Sequence, residues 1–214
     1  MSLNFLLEDK PDTFIFSKPR KNKNTEVMVC KIKNKNNDQV ILQFPKMTLV
    51  SDYHQRDKSI ELEFLNEVGY NKKIYNFLST LDEYLLEHIS LHSEKWFGKT
   101  IPIENVKNMY INFIKVPKTS ENKCTLNFIY NKVELIDKKN EETDISELVK
   151  GVTVECISQL KYLVFTKDTC FLNWEIKTAK IHKKILRVPK FGFIEDSTDH
   201  SDDELSDEEI ITFF

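Results

Sequence analysis

The sequence predicts a mainly β fold with helical insertions, an α+β domain built on a small curved sheet. Three observations carry this. Several short segments alternate apolar and polar side chains with period two. One longer segment, about Asn71 to His92, instead repeats its apolar residues at three- and four-residue steps. The last twenty residues, Glu195 to Phe214, hold nine carboxylates and no lysine or arginine, too little apolar material to fold.

The elements follow in order. Thr25–Lys33 reads as a strand, with Val27 and Val29 alternating with Met28, Cys30 and Ile32. The Asn34–Asp38 cluster is a turn, and Gln39–Phe44 returns as the second strand of a hairpin that Pro45 ends. Ser59–Phe64 is a half-buried strand. The helix comes next, with Ile74, Phe77, Leu78, Leu81, Leu85 and Ile89 on one face. A shorter helix, Ile103–Met109, follows Pro102. Strand patterns resume at Tyr110–Val116, Cys124–Tyr130, Val152–Leu160, Tyr162–Thr166 and Cys170–Ile181. Between them, Asp137–Asp144 is a polar loop and Ile145–Lys150 a helical turn, with Gly151 in a C-cap role. Short strands around one helical interruption suggest an OB-like curved β-barrel over residues 1–194, followed by a disordered acidic tail, 195–214. Periodicity alone does not separate a barrel from an open sheet.

Charge is divided between these two parts. The chain carries 31 basic and 34 acidic side chains, a net of -3. With nine acids in the tail, 25 remain against 31 basic residues, so residues 1–194 stand at +6. A basic body on an acidic tail suggests that the body binds a polyanion and that the tail competes for the same surface. Lysine outnumbers arginine 28 to 3, so phosphate neutralisation falls to point charges. Cys30, Cys124, Cys156 and Cys170 lack CxxC spacing and read as buried thiols. The start has no basic n-region, and no stretch approaches a membrane span. The expectation is a soluble, reduced, intracellular protein of the cytoplasm.

No catalytic constellation emerges. Gly98-Lys99-Thr100 lacks the glycine a phosphate loop needs five positions earlier, where Ser93 stands. His88 and His92 share a helix face without the glutamate or third ligand of a zinc peptidase, and read as solvated. Four glycines leave no dinucleotide fingerprint. The expectation is therefore no enzyme, no metal and no cofactor.

The positive signal is lysines interleaved with aromatics. Residues 17–37 are lysine-rich and include Lys31 and Lys33. Trp96, Phe97 and Lys99 lie just past the predicted helix. Lys115, Phe128, Tyr130, Tyr162, Phe171 and Lys177 fall in or beside the later strands. Single-stranded nucleic acid is gripped by such pairs: cations track phosphates and bases stack on flat side chains. Core packing competes for every aromatic in a strand. Along Phe171–Lys177, Leu172, Trp174 and Ile176 form the apolar face, which assigns Trp174 to the core and Phe171 with Lys177 to the surface.

The tail leaves three readings open: a solubilising segment, an autoinhibitor that mimics a phosphodiester run, or a recruiter of partner proteins through Phe213 and Phe214. Ser201 and Ser206, each followed by acids, match an acid-directed kinase pattern that would strengthen the mimicry.

From about Val27 to His182 the chain resembles the single-stranded DNA-binding proteins of nucleocytoplasmic large DNA viruses and related cytoplasmic DNA elements. The resemblance rests on Phe44-Pro-Lys-Met47, the Ile60–Phe64 strand and the long helix. It continues through Trp96-Phe-Gly-Lys99, Cys124–Tyr130, Leu148–Gly151 and the strand bearing Trp174. Two features depart from it: the Phe165–Phe171 hairpin has no glycine, and no glutamine follows Trp174. The resemblance implies an OB-fold core that coats single-stranded DNA without sequence preference during replication, with Trp96, Phe97 and Lys99 either binding or packing. An acidic tail ending in an aromatic is similar to those of bacterial and phage single-strand binders, which implies replication proteins as partners. Self-association and RNA binding stay open, as does a rival role as a structural or transcription-associated interaction protein.

Overall fold

The computed structural model describes residues 11–22, 27–53, 56, 58–66, 69–117, 123–131 and 133–183. Residues Thr25 and Glu26 of the first predicted strand, and the whole acidic segment with Phe213 and Phe214, lie outside the described residues. The strands before the long helix are β1 (Ile15–Phe16), β2 (Arg20–Lys21), β3 (Met28–Lys33), β4 (Val40–Gln43), β5 (Met47–Leu49) and β6 (Ser59–Leu65). Helices α1 (Gly69–Phe97) and α2 (Ile103–Met109) follow. The later strands are β7 (Tyr110–Ile111), β8 (Ile114–Lys115), β9 (Lys123–Ile129), β10 (Glu134–Ile136), β11 (Thr153–Phe165) and β12 (Cys170–Lys183).

Pairings run from β11 through β5, β6, β9 and β12 and return to β11, closing a five-stranded barrel. Extra strands and two helices surround it, and the whole is an OB-like α+β fold. Its centre is a knot of rings. Phe44 meets Phe128 at 4.8 Å and Trp174 at 5.4 Å, edge to face, and Phe113 meets Phe128 at 5.4 Å. All six helix residues expected on the core face are buried.

The predicted first hairpin is not one. Strands β3 and β4 do not pair with each other. Both run antiparallel to β11, β3 against residues 162–165 and β4 against 157–160, and β5 continues the line at 153–154. The Asn34–Asp38 cluster therefore loops out and returns the chain to its own line. Asn34 N–H donates to the Asp38 carbonyl at 3.0 Å, and the Asn34 side chain accepts from the amides of Asn36 and Asp38. Asn37 supplies the positive φ of 67° that this closure needs.

Other boundaries shift for local reasons. Helix α1 runs five residues beyond His92, so Trp96 and Phe97 form its last turn. Gly98, with φ of +72°, ends it and donates to the Glu94 carbonyl at 2.8 Å. Ser93 and Ser90 then bind the N–H and C=O of Ile101, each at 2.8 Å, which pins the Gly98-Lys99-Thr100 turn to the helix end. The two predicted strands at 152–166 are one strand, β11, with register shifts at Ile157/Ser158 and Leu160/Tyr162. Tyr110–Val116 splits into β7 and β8, and β10 was not expected. Gly151 does not cap the 3-10 turn Ile145–Glu147. It takes φ of +86° in a β-turn closed from Val152 N–H to the Val149 carbonyl. The β11–β12 hairpin does without glycine because the Thr166 hydroxyl accepts from the amide of Thr169 at 2.9 Å.

Candidate nucleic-acid interface

The outward face of β3, β11 and β12 is built from cross-strand rungs. In one rung Arg20 pairs with Val29, Val29 with Val164, Val164 with Phe171, and Phe171 with Ile111. In the next, Lys31 pairs with Tyr162 and Tyr162 with Asn173. Paired residues share a sheet face about 4.8 Å apart, so Lys31, Tyr162 and Phe171 lie within one short stretch of surface. Lys161, displaced by the bulge at Leu160/Tyr162, holds its ammonium 5.6 Å from the Tyr162 ring centre.

Glu175 organises the adjoining lysines. It accepts from Lys161 at 2.6 Å and from Lys177 at 2.8 Å. Burial pushes its carboxyl up, but the two ammonium groups outweigh that and hold it below the usual range. Any anion bound here would compete with Glu175 for both cations.

Beside this face lies a cleft of about 340 Å³ lined by Ile111, Asn112, Lys115, Asn127, Phe171 and Asn173, among others. It lies where, among the described residues, β12 has no neighbour on one side at 172–174, between its parallel pairings with β7 at Phe171 and with β9 at Glu175. The 110–115 segment forms one wall. Asp82 fixes that wall to α1: its carboxylate accepts from the Tyr110 hydroxyl at 2.5 Å and from the Phe113 amide at 3.2 Å. Burial pushes the Asp82 carboxyl up to about 6 against the pull of those donors.

The sequence-derived residues divide into groups. Lys31, Lys115, Tyr162, Phe171 and Lys177 gather on this face and cleft. Lys33 shares the face of Lys31, with its ammonium on the Asn37 side chain at 2.8 Å. Phe128 and Tyr130 are core residues, corrections that follow from burial. Phe128 is 0% exposed, and Tyr130 packs on Tyr53 at 4.8 Å with its hydroxyl pushed up to about 12 by burial and by Tyr53. Trp96 is buried too, edge-on to Phe165, and Phe97 packs on Phe165 at 5.1 Å. Phe97 and Lys99 line a separate apolar cleft at the helix end. Trp174 is core and Phe171 is on the other face, as the apolar grouping predicted.

His88 and His92 are not simply solvated. Their rings lie 4.3 Å apart, tilted, in a column that runs from Tyr84 to Trp96 at four-residue steps, with Phe16 on His88 at 4.4 Å. Burial and the neighbouring His92 push the His88 imidazole down to about 4. The four cysteines are buried, unpaired thiols. Sequence reasoning missed Asn112, Asn127, Asn173 and Asp82. The available signal was polarity at positions flanked by apolar strand or helix residues.

Among solved structures, the chain is similar to the single-stranded DNA-binding protein from bacteriophage Enc34 in a C-terminally truncated form. Identity is 13%, over 81% of this chain and 95% of that one, at a TM-score of 0.44. The single-stranded DNA-binding protein gp2.5 of bacteriophage T7 matches at 10% identity, over 74% of this chain and 92% of that one, at 0.48. The Enc34 protein in complex with single-stranded DNA matches at 14% identity, over 81% and 96%, at 0.40. No curated protein matches. One family model covers residues 54–193, and the chain belongs to that family, a family of unknown function designated DUF5871.

Proposed function

We propose that this chain is a non-enzymatic single-stranded DNA-binding protein that coats exposed strands during replication without sequence preference. The observation that carries the reading is convergence. Lys115 and Phe171, far apart in sequence, line one cleft, and the Lys31–Tyr162–Asn173 rung adjoins it. Cations and flat rings at that spacing suit a phosphate backbone with stacked bases. The acid-rich segment 195–214 competes for the same lysines, and Phe213 with Phe214 recruits replication proteins when displaced. The four unpaired thiols fit a reducing compartment such as the cytoplasm.

Titration with a labelled thymidine oligomer tests this. Affinity is expected to fall with salt, with a logarithmic slope of about -0.7 per phosphate neutralised. Phe171→Ala should weaken binding about tenfold or more, the loss of one stacked base. A chain ending at residue 194 should bind tighter, most at low salt. Absence of salt-sensitive binding in every form overturns the proposal. Equal affinity with and without the tail overturns only the competition.

A further inference from the structure

The large majority of buried side-chain polar atoms in native proteins have a hydrogen-bond partner. Among the described residues, two buried side-chain atoms have no hydrogen-bond partner: Trp174 Nε1 and Asn173 Oδ1. Both residues line the same cleft. As strand neighbours they project to opposite sides of β12. The cleft borders both residues, each orphaned atom being closed off from solvent, and it opens at residues 172–174, where among the described residues that edge of the strand has no neighbour. Two orphaned atoms on neighbouring residues that border one opening point to a ligand there rather than to a packing fault.

The chemistry of the lining narrows the ligand. An indole N–H only donates, and a carboxamide oxygen only accepts. The ligand therefore carries an acceptor and a donor on its edge. Phe171 offers a flat apolar face, Lys115 an exposed ammonium, and among the described residues no carboxylate lines the opening. A flat heterocycle with a mixed edge, attached to an anion, is a nucleotide. Resting on the function proposed above, we infer that the cleft takes one nucleobase of the bound strand. Phe171 lies against its face, Asn173 and Trp174 bind its edge, and Lys115 meets the adjoining phosphate. Every base carries both an acceptor and a donor, so edge contact of this kind is compatible with tolerance of sequence. It makes affinity depend on the hydrogen-bonding groups of the base as well as on its stacking surface.

The test compares a thymidine oligomer with the same oligomer methylated at N3 of every base. The methyl group removes the edge donor and leaves the phosphates and both ring faces in place. By fluorescence anisotropy of the labelled strands, the intact chain is expected to bind the unmodified oligomer about tenfold more tightly. In Asn173→Ala the ratio should fall towards one. Trp174→Phe, which keeps an aromatic ring in the core and removes the N–H, should weaken binding of the unmodified strand when measured below the variant's own unfolding transition. A ratio near one in the intact chain, as a face-only stacking platform gives, overturns the inference and leaves the proposed function standing. Failure of both oligomers to bind overturns the inference and the proposed function together.

Discussion

Phe128→Ala is expected to cost about 4 kcal/mol of stability, whereas Phe171→Ala, the same truncation, should cost about 1 kcal/mol or less. The difference is one of place. Phe128 is fully buried, with the rings of Phe44 and Phe113 edge-on to it, so its loss leaves a cavity that the closed barrel cannot collapse. Phe171 stands half-buried at the cleft, where solvent fills the space left behind. A domain of this size holds roughly 5–15 kcal/mol in total, so the first variant should lose a large share of it. Urea midpoints measure both losses, and oligomer binding at a concentration where each variant is folded completes the contrast. Phe128→Ala should retain affinity and Phe171→Ala should lose it. Equal stability losses would mean that Phe171 belongs to the core.

Two groups set opposing pH dependences over one window. Asp82 has its carboxyl raised to about 6, above its unfolded value. Between roughly pH 4 and 6 the folded state holds a proton that the unfolded chain has released, so this group's contribution to stability falls as pH rises, by about 3 kcal/mol at most. His88 has its imidazole lowered to about 4. Below its unfolded value the unfolded chain takes the proton first, so the contribution of His88 rises with pH across the same range. Relative to the parent, Asp82→Asn should gain stability steadily from pH 4 to 6, while His88→Phe should lose it. Urea unfolding at four or five pH values gives both differences, and slopes of the same sign would refute the assignment. Because Asp82 also holds the 110–115 wall, Asp82→Asn should loosen the cleft as well.

Much of this was legible before the structure. Period-two alternation located most strands, and the helix face was read residue by residue. The grouping that assigned Trp174 to the core applies equally to β9, where Phe128 shares a side with Cys124 and Leu126. Tyr162 differs in kind. It reaches the outer face only because the bulge at Leu160/Tyr162 changes the phase of β11, and such a shift leaves no mark in the pattern of apolar residues. The Asn34–Asp38 loop misled for a related reason: a polar cluster between two strands has the same composition whether the chain reverses or carries on. Asp82 could have been noticed as a carboxylate on the apolar stripe between Leu78 and Leu85.

The three short strands laid end to end along β11 have a consequence for the order in which the chain can assemble. Residues 28–49 have their main partner at 153–165, more than a hundred positions later, whereas β12 follows β11 across a four-residue turn. Closing the long loops costs entropy before any contact repays it. At about 5–20 residues per second, the first strands leave a ribosome on the order of ten seconds before their template exists. Pulse-labelled hydrogen exchange during refolding should accordingly protect the amides of 153–183 before those of 28–49. Until then the early strands carry open edges, and the like charges of Lys31 and Lys33 oppose the joining of those edges to one another.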